Sequence, residues 1–168
     1  PDQGMTMDLK RMPNVGDKAP DFELPDDAGN RLRLSDLCRE RVVLLLFYPA
    51  DFGMICSIQM GELRDIHEEF LAAGVMVLPL GTNSVRSHAA WKESMRLPFP
   101  LLADEDGTVT REWYMACDDD AWLKNRACRG AFVIDRHMTV RYRWIPPTPH
   151  QGPDVPSLLR EAASIAMR

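Results

Sequence analysis

Val42-Val43-Leu44-Leu45-Leu46-Phe47-Tyr48, followed directly by Pro49-Ala50-Asp51-Phe52-Gly53-Met54-Ile55-Cys56, is the stretch that decides the fold. An unbroken apolar run with a β-branched start fits a strand buried on both faces, and such strands sit centrally in parallel or mixed sheets. The run falls far short of the roughly 20 residues a membrane-crossing helix needs. Beyond the Pro49–Ile55 connection, Met60, Leu63, Ile66 and Phe70 recur at steps of three and four, which predicts an amphipathic helix from about Cys56 to Leu71, closing near Gly74. Cys56 is therefore expected at a helix start, directly after a central strand.

Working outward, Ala19–Leu24 and Arg31–Leu34 flank the turn cluster Asp26-Asp27-Ala28-Gly29-Asn30 and predict a β-hairpin. Ser35 is the expected N-cap of a short helix through about Arg39. Past the central helix, the pattern predicts a strand at Val75–Leu80, a helix at Ser84–Met95, a short strand at Phe99–Ala103 and a helix at Thr108–Met115. Ala131–Asp135 and Thr139–Ile145 read as an antiparallel hairpin. After a loop holding Pro146, Pro147, Pro149, Pro153 and Pro156, the residues Val155, Leu158, Leu159, Ala162, Ile165 and Ala166 trace one face of a closing helix. This alternation means an α/β sandwich: a mixed central β-sheet with helices on both faces. One domain is expected over residues 14–168. Residues 1–13, with Met5, Met7 and Met12 scattered among polar residues, read as a flexible leader or cloning remnant.

The 168 residues are 45% hydrophobic and 27% charged, a globular composition that excludes a mainly disordered chain. A net charge of −5 leaves no global positive field for phosphate backbones or anionic lipid, so neither nucleic acid nor a membrane is an expected partner. Cys38, Cys56, Cys117 and Cys128 form no CxxC pair and no zinc-spaced cluster. Reduced thiols and a cytoplasmic setting are expected.

A thiol in the first turn of a helix faces unpaired backbone N–H groups and the positive end of the helix dipole, both of which favour the reactive thiolate. Cys56 alone is expected there. The segment from Phe47 to Cys56 resembles the peroxiredoxin active site, whose pattern is Pro, three residues, Thr or Ser, two residues, Cys. The resemblance extends from Val15-Gly16-Asp17-Lys18-Ala19-Pro20-Asp21-Phe22 through Phe99-Pro100-Leu101-Leu102-Ala103-Asp104 to Arg129-Gly130-Ala131-Phe132-Val133-Ile134-Asp135. It is greatest toward the bacterioferritin comigratory proteins and their one-cysteine relatives.

That resemblance implies a thioredoxin-like fold and a thiol-dependent peroxidase, reducing hydrogen peroxide or organic hydroperoxides through a sulfenic acid at Cys56, with no metal or organic cofactor. It implies that Pro49 shields the thiolate and that Arg129 stabilises it and polarises the peroxide. The family's Thr or Ser position is Gly53, which carries no hydroxyl; Ser57 is the only adjacent one. The loss motivates an alternative reading, a peroxiredoxin-fold thiol–disulfide partner or redox-sensing module with weak peroxidase activity.

Recycling the sulfenic acid needs a second thiol. The family's resolving position five residues along the helix is Gly61, which closes that route. Cys128 is expected to point to the opposite face from Arg129 by strand alternation, and Cys38 to be packing. Cys117, beside Asp118, Asp119 and Asp120, is the best internal resolving candidate, although a one-cysteine cycle using an external thioredoxin, glutaredoxin or low-molecular-weight thiol leads. Monomer and homodimer both remain open. His67, roughly 16 Å along the helix from Cys56, is a boundary or core histidine rather than a base. His88, His137 and His150 have no partner at ligand spacing, and the Asp118–Asp120 run reads as a solvated loop rather than a cation site. Trp91 and Trp113 read as core or subunit contacts, and Phe52 as packing for the active-site loop and lining for its mouth.

Overall fold

A strand whose every side chain must be buried can only be satisfied by neighbours on both edges and layers on both faces. β3 (Val42–Phe47) is such a strand, with all six residues buried. The computed structural model describes residues 6–118 and 122–168. In it β3 pairs in parallel with β4 (Val75–Gly81), which carries the short β5 (Leu102–Ala103) on its outer edge. On the other side β3 pairs antiparallel with β6 (Gly130–Ile134), and β6 with β7 (Val140–Trp144). The result is a mixed five-stranded sheet of order β5-β4-β3-β6-β7. A separate hairpin is formed by β1 (Glu23–Pro25) and β2 (Arg31–Arg33).

The two-residue period of β3 sorts the core into two layers. Val43, Leu45 and Phe47 face Phe132, Trp113 and the hairpin residues Phe22 and Leu24, together with α1 (Leu34–Cys38) and α5 (Thr108–Glu112). Val42, Leu44 and Leu46 face α2 (Met54–Asp65), α3 (His67–Ala72), α4 (Val85–Met95) and α6 (Val155–Ala166). Cys56 belongs to this second layer, as do Tyr48 and Trp91, whereas Cys38 and Trp113 belong to the first. Among the described residues, no helix is long and apolar enough to cross a membrane.

Several boundaries differ from expectation. The central helix starts at Met54 and breaks at Ile66, whose φ of −118° and ψ of 18° are not helical. A β-branched residue holds a helix weakly, and the break puts Glu68 and Glu69 in the favourable first turn of α3. Ser35 is not the N-cap of α1; Arg33 is, and Asp21 accepts both the Ser35 N–H at 2.9 Å and its hydroxyl at 2.7 Å. The expected Phe99–Ala103 strand shrinks to two residues because Pro100 has no N–H for the ladder. The Thr108–Met115 helix stops at Glu112, with Tyr114 left-handed at φ 55°. Residues 6–13 are no detached leader: Met12 is 1% exposed in the core, and the Met7 N–H donates to the Ala116 carbonyl.

Gly81 ends β4 beneath the Tyr48 ring, where an added Cβ would stand 2.8 Å from Cζ and 3.0 Å from Oη. The ring is fully buried and has no room to retreat. Gly81→Ala is therefore expected to cost about 1–3 kcal/mol in chemical denaturation. An unchanged denaturation midpoint would contradict this packing.

Candidate active site

The chain leaves the sheet at Tyr48 and re-enters helix at Met54, and this short connection builds the site. Gly53 is the N-cap of α2 and offers no side chain to its N–H groups. The first backbone donor of α2 with a helical partner is Ser57, bonded to the Gly53 carbonyl at 2.8 Å, so the N–H groups of Met54, Ile55 and Cys56 in the turn that carries the thiol have no intrahelical partner. Cys56 is the third helical residue and is fully buried.

Arg129 comes from the other side of β3, one residue before β6. Its Nη1 donates to Cys56 Sγ at 3.0 Å while Nε donates to the Pro149 carbonyl at 3.0 Å. Only 4% of Arg129 is exposed. Residues 73 positions apart in sequence thus form a buried cation–sulfur contact, clamped at its second nitrogen by the Pro-rich loop. Pro49 is buried in the connection. Gly53 has ordinary extended torsions, φ −65° and ψ 145°, and a Cβ there would lie 3.6 Å from Cys56 Sγ. A hydroxyl carried on that Cβ would therefore stand beside the sulfur. No hydrogen bond links Ser57 to Cys56 among the described residues.

The connection is held by a group the sequence reading missed. Asp51 is buried, and its carboxylate accepts the Tyr48 hydroxyl at 2.7 Å and the Ser87 hydroxyl at 2.8 Å. His88 Nδ1 lies 2.7 Å from the same carboxylate, and Nε2 donates to the Leu102 carbonyl at 2.9 Å. The Asp51 N–H donates to Asn83 Oδ1 at 2.9 Å. Burial, then the Asp51 charge, pushes the Tyr48 hydroxyl well above its ordinary pKa, so it stays a donor. The partner of His88 lies 37 residues away, outside the reach of a spacing argument. The available signal was its spacing three residues before Trp91, which puts both on the inward face of α4. Next to this anchor Phe52 sits in the left-handed region at φ 64°, the residue 57% exposed and its ring centroid 6.3 Å from that of Trp91.

The remaining candidates sort by face. Cys38 lies in the opposite layer, and burial together with Asp135 and Asp21 pushes its thiol up to about 12. Cys117 and Cys128 are joined in a disulfide. This corrects two expectations: the four thiols are not all reduced, and Cys117 is no resolving thiol, its sulfur being bonded to Cys128 in the layer opposite Cys56. Chain pairing explains the disulfide: the Cys117 N–H donates to the Arg126 carbonyl at 2.8 Å and the Cys128 N–H to the Met115 carbonyl at 2.8 Å, a ribbon that sequence alone did not show. Gly61 faces Arg64 and Met95. His67 packs edge-on to Phe99 at 5.4 Å, and burial lowers its pKa. His137 and His150 are exposed, and Trp91 and Trp113 are core. Asp118 is exposed, whereas Asp119 and Asp120 lie outside the described residues. Among the described residues no group of three His, Cys, Asp or Glu is gathered for a metal.

The disulfide closes a loop with a separation of 11 residues, for which chain entropy gives about 3 kcal/mol. Reduction without unfolding is expected to lower Tm by about 6–12 °C. A Cys117→Ser, Cys128→Ser chain melting at the same temperature as the oxidised parent would contradict it.

The AhpC/TSA family profile matches residues 15–143. The Coxiella burnetii protein bearing the name peroxiredoxin bcp is 36% identical over 132 residues, covering 77% of this chain and 87% of that one. The chloroplastic peroxiredoxin Q of Oryza sativa subsp. japonica is 35% identical over 127 residues, 76% of this chain but 57% of the rice protein's length. Among solved structures, peroxidoxin BcpB from Mycobacterium tuberculosis superposes with a TM-score of 0.80 at 30% identity, covering 91% of this chain and 98% of that one. The α/β architecture is accordingly the thioredoxin-like one that the resemblance implied.

Proposed function

Because the chain belongs to the AhpC/TSA family, the peroxiredoxins, we propose that its thiol-dependent peroxidase activity is carried by Cys56, with Arg129, Pro49 and the backbone of the Gly53 turn completing the site. The observation that carries this reading is the 3.0 Å contact from Arg129 Nη1 to Cys56 Sγ inside a closed, buried site. A guanidinium at that distance stabilises a sulfur anion, and the unpaired N–H groups of α2 add to it.

The thiolate sulfur attacks one peroxide oxygen; the S–O bond forms as the O–O bond breaks, and the departing oxygen takes a proton and leaves as water or an alcohol. Arg129 disperses the negative charge moving from sulfur to the leaving oxygen. Pro49 excludes water from the sulfur. The sulfenic acid then condenses with an external thiol, releasing water, and a second thiol equivalent returns Cys56 to its starting state. With Cys117 bonded to Cys128 and Cys38 packed in the other layer, this one-cysteine cycle is the reading the described residues support. A thioredoxin, glutaredoxin or small-thiol system supplies the electrons, and the protein acts as a monomer or homodimer. The redox-sensing alternative gains no support from the relatives' names. A cytoplasmic setting stays part of the proposal, although two of the four cysteines on which it rested are now joined; cell fractionation decides it.

One experiment tests the assignment. Reduced protein mixed with one equivalent of hydrogen peroxide and a sulfenic-acid probe is expected to carry the label on Cys56. Peroxide consumption that persists in Cys56→Ser, with no label in the parent, removes the mechanism.

A further inference from the structure

A cavity of about 540 Å³ lies against Arg129 on a side that Cys56 does not line. This is a volume typical of small-molecule sites. Its wall includes Leu9, Ile145 and Pro149, two guanidinium side chains, Arg129 and Arg143, and, among the described residues, no carboxylate. Arg143 Nη1 donates to the Leu9 carbonyl at 3.2 Å and the Pro13 carbonyl at 3.3 Å, which fixes its head in the wall. Neither arginine is ion-paired with a carboxylate among the described residues. Arg129 already faces Cys56 Sγ, but Arg143 has only backbone carbonyls as partners among the described residues, so the cavity carries excess positive charge that favours an anionic occupant.

The same wall holds Cys128, one half of the disulfide, whereas Cys117 is not among the lining residues. Thiol–disulfide exchange needs access to one particular sulfur. We propose that this cavity docks a small thiol carrying a carboxylate, which reduces the Cys117–Cys128 disulfide, so that this pair is a second redox couple separate from Cys56. The small thiolate attacks Cys128 Sγ; a new S–S bond forms, the bond to Cys117 breaks, and Cys117 leaves as a thiolate that takes a proton from water. A second small thiol then attacks the mixed disulfide at its own kind's sulfur and frees Cys128. In sum two small thiols become one small disulfide while the protein pair gains two electrons and two protons. The flanking segments stay together when the bond opens, because the Cys117–Arg126 and Cys128–Met115 backbone bonds remain and the Cα atoms stand 5.1 Å apart. The couple is therefore able to close again.

The test uses the full oxidised chain and follows Cys117 and Cys128 by differential alkylation and peptide mass spectrometry, a readout independent of Cys56. Glutathione, neutral 2-mercaptoethanol and cationic cysteamine are compared at equal thiolate concentration. Glutathione is expected to reduce the pair about tenfold faster than cysteamine, the difference one charged contact produces. Arg143→Met should remove most of that preference and Arg143→Lys retain it. Should Arg143→Met fail to fold, the parent in 1 M salt, where the screening length is about 3 Å, must lose the preference instead. A salt-independent ratio, or cysteamine as the fastest thiol, overturns the proposal. The point of attack is read separately: with oxidised glutathione, Cys128 in Cys117→Ser should form its adduct about tenfold faster than Cys117 in Cys128→Ser. Equal rates, or the reverse order, overturn the assignment of the cavity.

Discussion

Arg129→Met is expected to lower the second-order rate constant for hydrogen peroxide by about 10²- to 10³-fold, the cost of deleting one preorganised donor from a water-excluded site. The methionine fills much of the volume, so the loss falls on charge and hydrogen bonding rather than packing. Two bonds vanish together: Nη1 to Cys56 Sγ and Nε to the Pro149 carbonyl, both at 3.0 Å. Lysine does not restore them, because one ammonium on a flexible stem lacks the planar fork that reaches both acceptors at once. Arg129→Lys is therefore expected to stay at least tenfold below the parent. Stopped-flow mixing of reduced protein with peroxide reads the rate constant; a methionine variant within a factor of three of the parent would show that the guanidinium is a structural strut only.

Gly53→Thr should raise the same rate constant, by up to about 10²-fold, by placing a hydroxyl beside the sulfur. The position accepts a side chain without strain: its torsions are ordinary, and a new Cβ would sit 3.4 Å from the Ala50 carbonyl oxygen and 3.6 Å from Cys56 Sγ. Gly53 is also the N-cap of α2, so a threonine adds a capping acceptor worth a few tenths of a kcal/mol over glycine. Gly53→Ala separates the two effects, because it fills the same space with no hydroxyl and should leave the rate near the parent's. A threonine variant no faster than the alanine variant means that the backbone N–H groups of the α2 turn already supply what the hydroxyl would.

What could be read from the chain followed from how local each cause is. The Val42–Tyr48 run fixed its own burial, and the Met60–Phe70 periodicity placed the helix that carries Cys56, because both depend on residues a few positions apart. The Cys56–Arg129 pairing was reachable only through the family resemblance, since nothing in spacing joins two residues 73 positions apart. Asp51 and His88 escaped notice for the same reason: their partnership exists only once α4 packs over the loop after β3. The Cys117–Cys128 disulfide was missed because a low cysteine density argued for free thiols, and the ribbon that aligns them is made by irregular backbone bonds rather than patterned strands. Ile66 breaks a helix whose apolar spacing runs straight through it, because a β-branched residue holds a helix weakly and apolar periodicity does not register that.

The central proposal is that the buried guanidinium donating to Cys56 Sγ at 3.0 Å favours the sulfur anion, and ultraviolet thiolate absorbance tests it most directly. The background is quiet at pH 7, because Cys38 is pushed up to about 12 and stays a thiol, while Cys117 and Cys128 are joined. The difference spectrum between the parent, with Cys56 reduced and the disulfide intact, and Cys56→Ser is expected to show a thiolate band that disappears in Arg129→Met. Superimposable parent and Cys56→Ser spectra, or a band untouched by the loss of Arg129, would contradict the account.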